Sequence, residues 1–194
     1  MLKHVAVFCG SSDGASDVYR AEARLLGAEL ASRGMTLVYG GASVGLMGAV
    51  ADAVLEAGGR AVGVLPRFLQ SREIAHKGLS ELILVDTMHE RKAKMAELSD
   101  GFIVLPGGPG TMEEFFEIYT WAQLGLHRKP CGILNVNGYY DPLVALFDHM
   151  AEERFLQDKH RGLALVDADA SDLLDRCLAY EPPTVKTYLT EKQT

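Results

Sequence analysis

The sequence predicts an α/β fold, a doubly wound parallel sheet of about seven strands with helices on both faces. Two observations lead there. Seven short apolar runs, at 5–9, 36–39, 61–65, 82–85, 102–105, 132–135 and 163–166, are continuous rather than alternating. That is the pattern of strands covered on both faces. Between the runs lie stretches of helical periodicity, at 16–33, 45–58, 88–99, 111–124, 141–155 and 170–180. Strand–helix alternation with short connections builds a parallel sheet, and right-handed crossovers place helices on both of its sides. The 194 residues, 48% apolar and 23% charged, suffice for one core without metal or disulfide staples. A single domain is expected over residues 1–180, with 181–194, opened by Pro182 and Pro183, as a tail.

Composition narrows the function. Nineteen Lys and Arg against 26 Asp and Glu give a net charge of −7, the opposite of a nucleic-acid binder's basic footprint. No run approaches the ~18 apolar residues of a membrane helix, and the first run is too short for a signal-peptide core. Cys9, Cys131 and Cys177 are far apart, odd in number and set in apolar surroundings, as in buried thiols of a cytoplasmic protein. The six histidines show no metal-ligand spacing. No nucleic acid, membrane, metal or organic cofactor is expected.

Taken in order, the strands run into the informative segments. The first leads into Gly10-Ser11-Ser12-Asp13-Gly14, and the second into Gly40-Gly41-Ala42-Ser43-Val44-Gly45-Leu46-Met47-Gly48. The third opens the longest irregular stretch, 66–78, which carries Arg67, Arg72, Glu73 and Lys77. The fifth leads into Pro106-Gly107-Gly108-Pro109-Gly110-Thr111. Ligands of doubly wound sheets bind at these carboxyl ends. Glycine loops there are either tight strand-to-helix turns or, with Gly10, Ser11, Gly41, Gly45 and Met47 forming one rim, a cradle for a phosphate. Familiar nucleotide signatures are absent. There is no GxxxxGK followed by Ser or Thr, no GxGxxG in the first loop, and no acidic residue ending the second strand. An HExxH pair is also missing.

Two charged residues fall on apolar helix faces. In the helix over 88–99, Met88, Met95 and Leu98 form a stripe at 100° per residue; Arg91 falls on it and Lys92 flanks it. An Arg aimed at the sheet either pairs with an anion in a cleft or snorkels to water. In the helix after Gly110, Phe115, Ile118, Trp121 and Ala122 form the buried face, and Glu114 lies close to Trp121 on the wheel. Thr111 and Glu114 also have capping-box spacing, so Glu114 is open to a purely structural reading. Glu113 and Glu117 point elsewhere.

Residues 106–114, Pro-Gly-Gly-Pro-Gly-Thr-Met-Glu-Glu, fit PGGxGTxxE, and Met88-His89-Glu90-Arg91-Lys92 fits an MHxRK-like segment. With Gly40-Gly41, Gly45-Leu46-Met47-Gly48 and Trp121-Ala122-Gln123-Leu124-Gly125, the chain resembles the LOG family from about Val5 to Leu156. These are cytokinin riboside 5′-monophosphate phosphoribohydrolases, formerly labelled possible lysine decarboxylases. The resemblance implies a Rossmann-like, usually dimeric N-glycosidase that cleaves AMP or N6-isopentenyl-AMP into free base and ribose 5-phosphate, without a cofactor. It implies that Arg91 and Glu114 are catalytic. It also implies that Glu73, Arg91, Lys92, Gly107, Gly108, Gly110, Thr111, Glu113, Glu114 and Thr120 contact substrate. Pro109 departs from the Tyr or Phe common at that position in plant members. A non-catalytic nucleotide or molybdenum-cofactor carrier on the same fold is the alternative.

Overall fold

The computed structural model describes residues 2–70 and 75–184. Seven strands form one sheet: β1 (His4–Phe8), β2 (Thr36–Tyr39), β3 (Arg60–Pro66), β4 (Glu81–Val85), β5 (Gly101–Val104), β6 (Cys131–Leu134) and β7 (Ala164–Asp167). Their order is β4-β3-β2-β1-β5-β6-β7, and every pairing is parallel. The expected Rossmann-like α/β architecture is therefore the one found, and each expected strand lies within about a residue or two of its place. β1, β2, β5 and β6 are almost wholly buried, which is why their sequences read as continuous apolar runs.

Helices α1 (Asp17–Ser32), α2 (Gly45–Glu56) and α8 (Ala170–Leu178) cover one face. On the other lie α4 (Met88–Leu98), α5 (Pro109–Gln123) and α6 (Asp141–Glu152). Leu26, Leu30, Val50, Val54, Leu173 and Leu174 build the first core layer. Met95, Phe102, Phe115, Ile118 and Phe147 build the second. Two one-turn α-helices, α3 (Arg67–Gln70) and α7 (Asp158–Arg161), and a 3₁₀ turn, Val136–Gly138, complete the set among the described residues. No helix there is long and apolar enough to cross a membrane.

Several local expectations change. The helix expected to open at Thr111 begins at Pro109, with Gly108 as its N-cap and no side-chain cap. Proline suits the first helical position, because its φ is already helical and the missing N–H has no partner there anyway. Thr111 is thus inside the helix, and no capping box joins it to Glu114. The stretch 66–78 is less irregular than expected: β3 runs through Pro66, α3 follows, and Ala75 bridges Ala42 across the second glycine loop. Met88, placed on an apolar stripe, is 38% exposed, and Trp121 is only partly buried. Glu73 and Arg72, and residues 185–194 of the tail, lie outside the described residues.

The strand order reverses between β1 and β5. Their crossovers leave in opposite directions, and a crevice opens at the carboxyl ends of the two strands.

Candidate active site

That crevice is a cleft of about 430 Å³. Cys9, Gly10 and Ser11 line it from the loop after β1, and Gly40, Ala42, Val44 and Met47 from the loop and helix after β2. Gly108, Pro109, Gly110, Thr111, Glu113 and Glu114 come from α5 and the loop before it, and Arg91 and Met88 from α4. Leu65 and Leu69 add an apolar wall. The three glycine loops are stitched together: Gly10 N–H donates to the Pro106 carbonyl at 3.0 Å, and Met47 N–H to that of Gly10 at 3.4 Å.

Local capping sets Arg91. Thr87 caps α4 by accepting from Glu90 N–H at 3.1 Å, and Glu90 in turn accepts from Asp86 N–H at 2.8 Å. This fixes the first turn, and Arg91, one turn in, points under the sheet's end. Its Nε donates to the Val64 carbonyl at 3.2 Å, and its Nη1 lies 3.4 Å from Glu114 Oε1. Gly40 makes room for it: a Cβ there would stand 1.8 Å from Arg91 Nη2. The arginine's head is mostly buried at the cleft wall and is partnered by Val64 and Glu114.

Glu114 is 8% exposed. Burial pushes its carboxyl above the usual range; Arg91 opposes that shift, and Glu113 adds to it. Its neighbour Glu113 is largely exposed at the cleft mouth and pairs with Lys92, which also reaches Glu117 at 3.2 Å. Adjacent carboxylates in one helix thus have opposite settings, one desolvated and one wet.

The α2 and α5 N-termini both open on the cleft. Their N-caps, Val44 and Gly108, make no side-chain cap bond. Initial N–H groups of a helix lack intrahelical partners and carry its positive end, so an anion is favoured there. A Cβ added at Gly108 or Gly110 would meet nothing within 4 Å, so the third loop has unfilled space beside these two residues.

The structure thus gathers Gly10, Ser11, Met47, Arg91, Gly108, Gly110, Thr111, Glu113 and Glu114 around one cleft. Gly107 packs behind it, where a Cβ would strike Thr111 Oγ1 at 2.2 Å. Gly41 and Gly45 shape the second loop with φ of 78° and 58°. Lys92 is held between two carboxylates away from the cleft lining, and Thr120 is exposed, about 9 Å further along α5 than Glu114 at 1.5 Å per residue. Sequence reasoning did not single out Gly40 as the gap for Arg91, nor the wall of Val44, Leu65 and Leu69. Their only sequence signal is position: Gly40 and Val44 follow β2, Leu65 lies near the end of β3 and Leu69 in α3 just after it.

Comparison with known proteins agrees in fold and in sequence. The family described as "Possible lysine decarboxylase" matches residues 47–177. The chain is 51% identical over 176 residues to a probable cytokinin riboside 5′-monophosphate phosphoribohydrolase of Oryza sativa subsp. japonica, covering 91% of this chain and 79% of that one. It is 48% identical over 181 residues to a cytokinin riboside 5′-monophosphate phosphoribohydrolase of Arabidopsis thaliana, covering 93% and 79%. Among solved structures, the molybdenum cofactor carrier protein of Chlamydomonas reinhardtii superposes with a TM-score of 0.70 at 22% identity, over 93% of this chain and all of that one. The molybdenum cofactor binding protein of Rippkaea orientalis gives 0.70 at 18%, over 92% and 97%. At such identities the likeness is one of fold alone.

Proposed function

The chain belongs to this family of phosphoribohydrolases, long described as possible lysine decarboxylases, and from that premise we propose how its cleft hydrolyses the N-glycosidic bond of AMP-type nucleotides. The products are the free base and ribose 5-phosphate, and N6-modified AMP is included in the substrate class. One observation carries the mechanism. A buried carboxylate, Glu114, touches a buried guanidinium, Arg91, one turn below an uncapped, glycine-opened helix end.

The 5′-phosphate binds at Gly108, Gly110 and Thr111, in the unfilled space at the start of α5. That places the ribose over Glu114. Breaking C1′–N9 sends the bonding pair to the base, which takes up a proton from solvent, and leaves an oxocarbenium-like ribosyl centre. The Glu114 carboxylate stabilises that positive charge and accepts a proton from the water whose oxygen bonds to C1′. General-base help of this kind contributes roughly 10²–10⁴-fold. Arg91 holds the carboxylate in place and favours its ionised form against the pull of burial. Lys92 joins α4 to α5 through Glu113 and Glu117, which keeps Arg91 and Glu114 in register.

Lys92 does not suit a decarboxylase. Among the described residues it is the lysine next to Arg91, and a Schiff-base nucleophile requires a neutral amine. Burial lowers its pKa, but the hydrogen bonds it donates to Glu113 and Glu117 outweigh this and raise it. The ammonium is therefore kept protonated. The carrier reading shares the fold but has no use for a desolvated carboxylate under the ribose.

A cytoplasmic homodimer is part of the proposal. Three buried, unpaired thiols suit a reducing compartment. Thr120, exposed and remote from its own cleft, meets substrate if it faces a partner's. Sedimentation should give twice the chain mass, and a monomer would refute this part.

Product chromatography over AMP, N6-isopentenyl-AMP, GMP, CMP and adenosine tests the whole. Base and ribose 5-phosphate are expected from the adenine nucleotides; tight binding without turnover would favour the carrier. Glu114→Gln should lower kcat by at least ~10² while retaining nucleotide binding, because the amide keeps shape but not charge. Glu113→Gln should cost less than about tenfold, since its carboxylate is solvated; equal losses would refute the assignment.

A further inference from the structure

Tyr139 lies outside the cleft, yet its hydroxyl donates to the Gly107 carbonyl at 2.7 Å. The bond is carefully prepared. After β6 the chain makes a single 3₁₀ turn, Val136–Gly138, in which Asn137 and Gly138 both have positive φ, 51° and 68°. Asn135 Oδ1 accepts from Tyr140 N–H at 2.7 Å, while its amide donates to Asp141 at the start of α6. The Tyr140 hydroxyl, buried, donates to the Leu105 carbonyl at 2.7 Å. Two consecutive tyrosines thus hold two carbonyls of the chain that leads into the third glycine loop. The Tyr139 ring also packs edge-on against Tyr19, 5.8 Å between centroids.

A trans peptide places its C=O and N–H on opposite sides of the chain. A Gly107 carbonyl tied outward to Tyr139 therefore turns the Gly108 N–H the other way, toward the cleft that Gly108 lines and Tyr139 does not. We propose that Tyr139 is a positioning residue for the hydrolysis: its hydroxyl sets the Gly107–Gly108 peptide so that the Gly108 N–H meets the substrate's 5′-phosphate. The inference rests on the phosphoribohydrolase reading. It adds that phosphate affinity depends on a hydroxyl that never touches the nucleotide. Without that hydroxyl the Gly107 carbonyl loses the side-chain bond that orients it, and glycine on both sides of the peptide widens the backbone angles open to it.

The test uses competitive inhibition of AMP hydrolysis by two fragments, ribose 5-phosphate and adenine. Tyr139→Phe keeps the ring and its packing on Tyr19. It should weaken ribose 5-phosphate about tenfold, the weight of one oriented hydrogen bond to a charged group, and leave adenine within twofold. Tyr140→Phe should weaken both equally or neither, since Leu105 precedes the loop. Equal weakening of both fragments by Tyr139→Phe, or no change in either, would overturn the proposal. Direct calorimetric binding of ribose 5-phosphate separates the two levels of inference. Wild-type protein that fails to bind it overturns the functional reading together with this one. Wild-type and Tyr139→Phe proteins that bind it alike overturn the role of Tyr139 alone.

Discussion

The second and third glycine loops use the same residue to opposite ends. In the second, the protein itself occupies the space each glycine leaves. A Cβ at Gly45 would strike the Ser11 backbone at 2.3 Å, one at Gly48 the Ser43 carbonyl at 2.3 Å, and one at Gly40 the head of Arg91 at 1.8 Å. In the third, Gly107 is filled in the same way, but Gly108 and Gly110 face nothing. The gaps left by the second loop's glycines are filled by Arg91 and by backbone, whereas Gly108 and Gly110 of the third leave open space beside the cleft. A glycine-rich sequence therefore says where backbone comes close, and only the structure says whether to protein or to substrate.

Removing the 5′-phosphate, the group proposed to bind at the open loop, should have the largest effect. Two or three charge-assisted hydrogen bonds at about 1.5–3 kcal/mol each predict that adenosine falls below AMP by at least ~10³ in kcat/KM. Comparable values would show that the third loop is as closed in function as the second.

Gly40→Ala probes the closed side. Its new methyl group meets flexible side-chain ends, Arg91 Nη2 and Met47 Cε, so the fold should survive while Arg91 is displaced. Activity should fall by about 10², the lower end of a general-base contribution. The pH profile sharpens this. Burial raises the Glu114 pKa and Arg91 lowers it, and the proposed reaction needs the carboxylate ionised. The acid limb of kcat should therefore lie above the ordinary carboxylate range in wild type and move higher still in Gly40→Ala. An unmoved limb would mean that Arg91 does not tune Glu114.

Gly110→Ala probes the open side, with the smallest kinetic effect. The position lies in the first turn of α5 with free space around it, so alanine should stabilise the protein by roughly 0.5–1 kcal/mol. Ribose 5-phosphate inhibition should nonetheless weaken about tenfold, with no shift of the acid limb. A loss of stability measured by denaturant would break the contrast between the loops.

The same carboxylate gives a pH-dependent stability. A carboxyl whose folded pKa is raised contributes stability below its unfolded pKa and loses it as pH rises through the folded value. Glu114→Gln removes that titration. It should melt above wild type near neutral pH, with the gap closing below about pH 4, near the unfolded carboxylate pKa. A gap that widens on acidification would reverse the sign argued here.

The strands were legible because burial on both faces leaves a plain mark, an unbroken run of Val, Ile, Leu and Phe. The burial of Arg91 and Glu114 was legible for a related reason: a charge on an apolar stripe conflicts with helix periodicity, and the conflict points inward. The start of α5 was not, because Thr111 and Glu114 imitate a capping box while Pro109 sets the true first turn. Gly40 and Tyr139 act through contacts with residues 51 and 32 positions away, and no local pattern carries such information. The resemblance, rather than any local pattern, implied that Lys92 contacts substrate. In three dimensions its helix face turns it toward α5, where two carboxylates hold it.

The strand order also fixes a sequence of events in time. β1 finds β2 after one helix, but its other neighbour, β5, begins near Gly101, opposite Val5. Pairing across such a separation closes a long loop and is slow compared with local contacts. During synthesis at about 5–20 residues per second, β1 waits roughly 5–20 s with one edge unpaired. When β5 docks, Asp100 accepts from the Lys3 and His4 amides at 2.9 Å each and locks the seam at its lower end. The cleft forms at the upper end of that same seam. The two halves of the chain thus acquire a binding site in the step that joins them, and a nucleotide touching both halves would favour the joined state over its separated precursors.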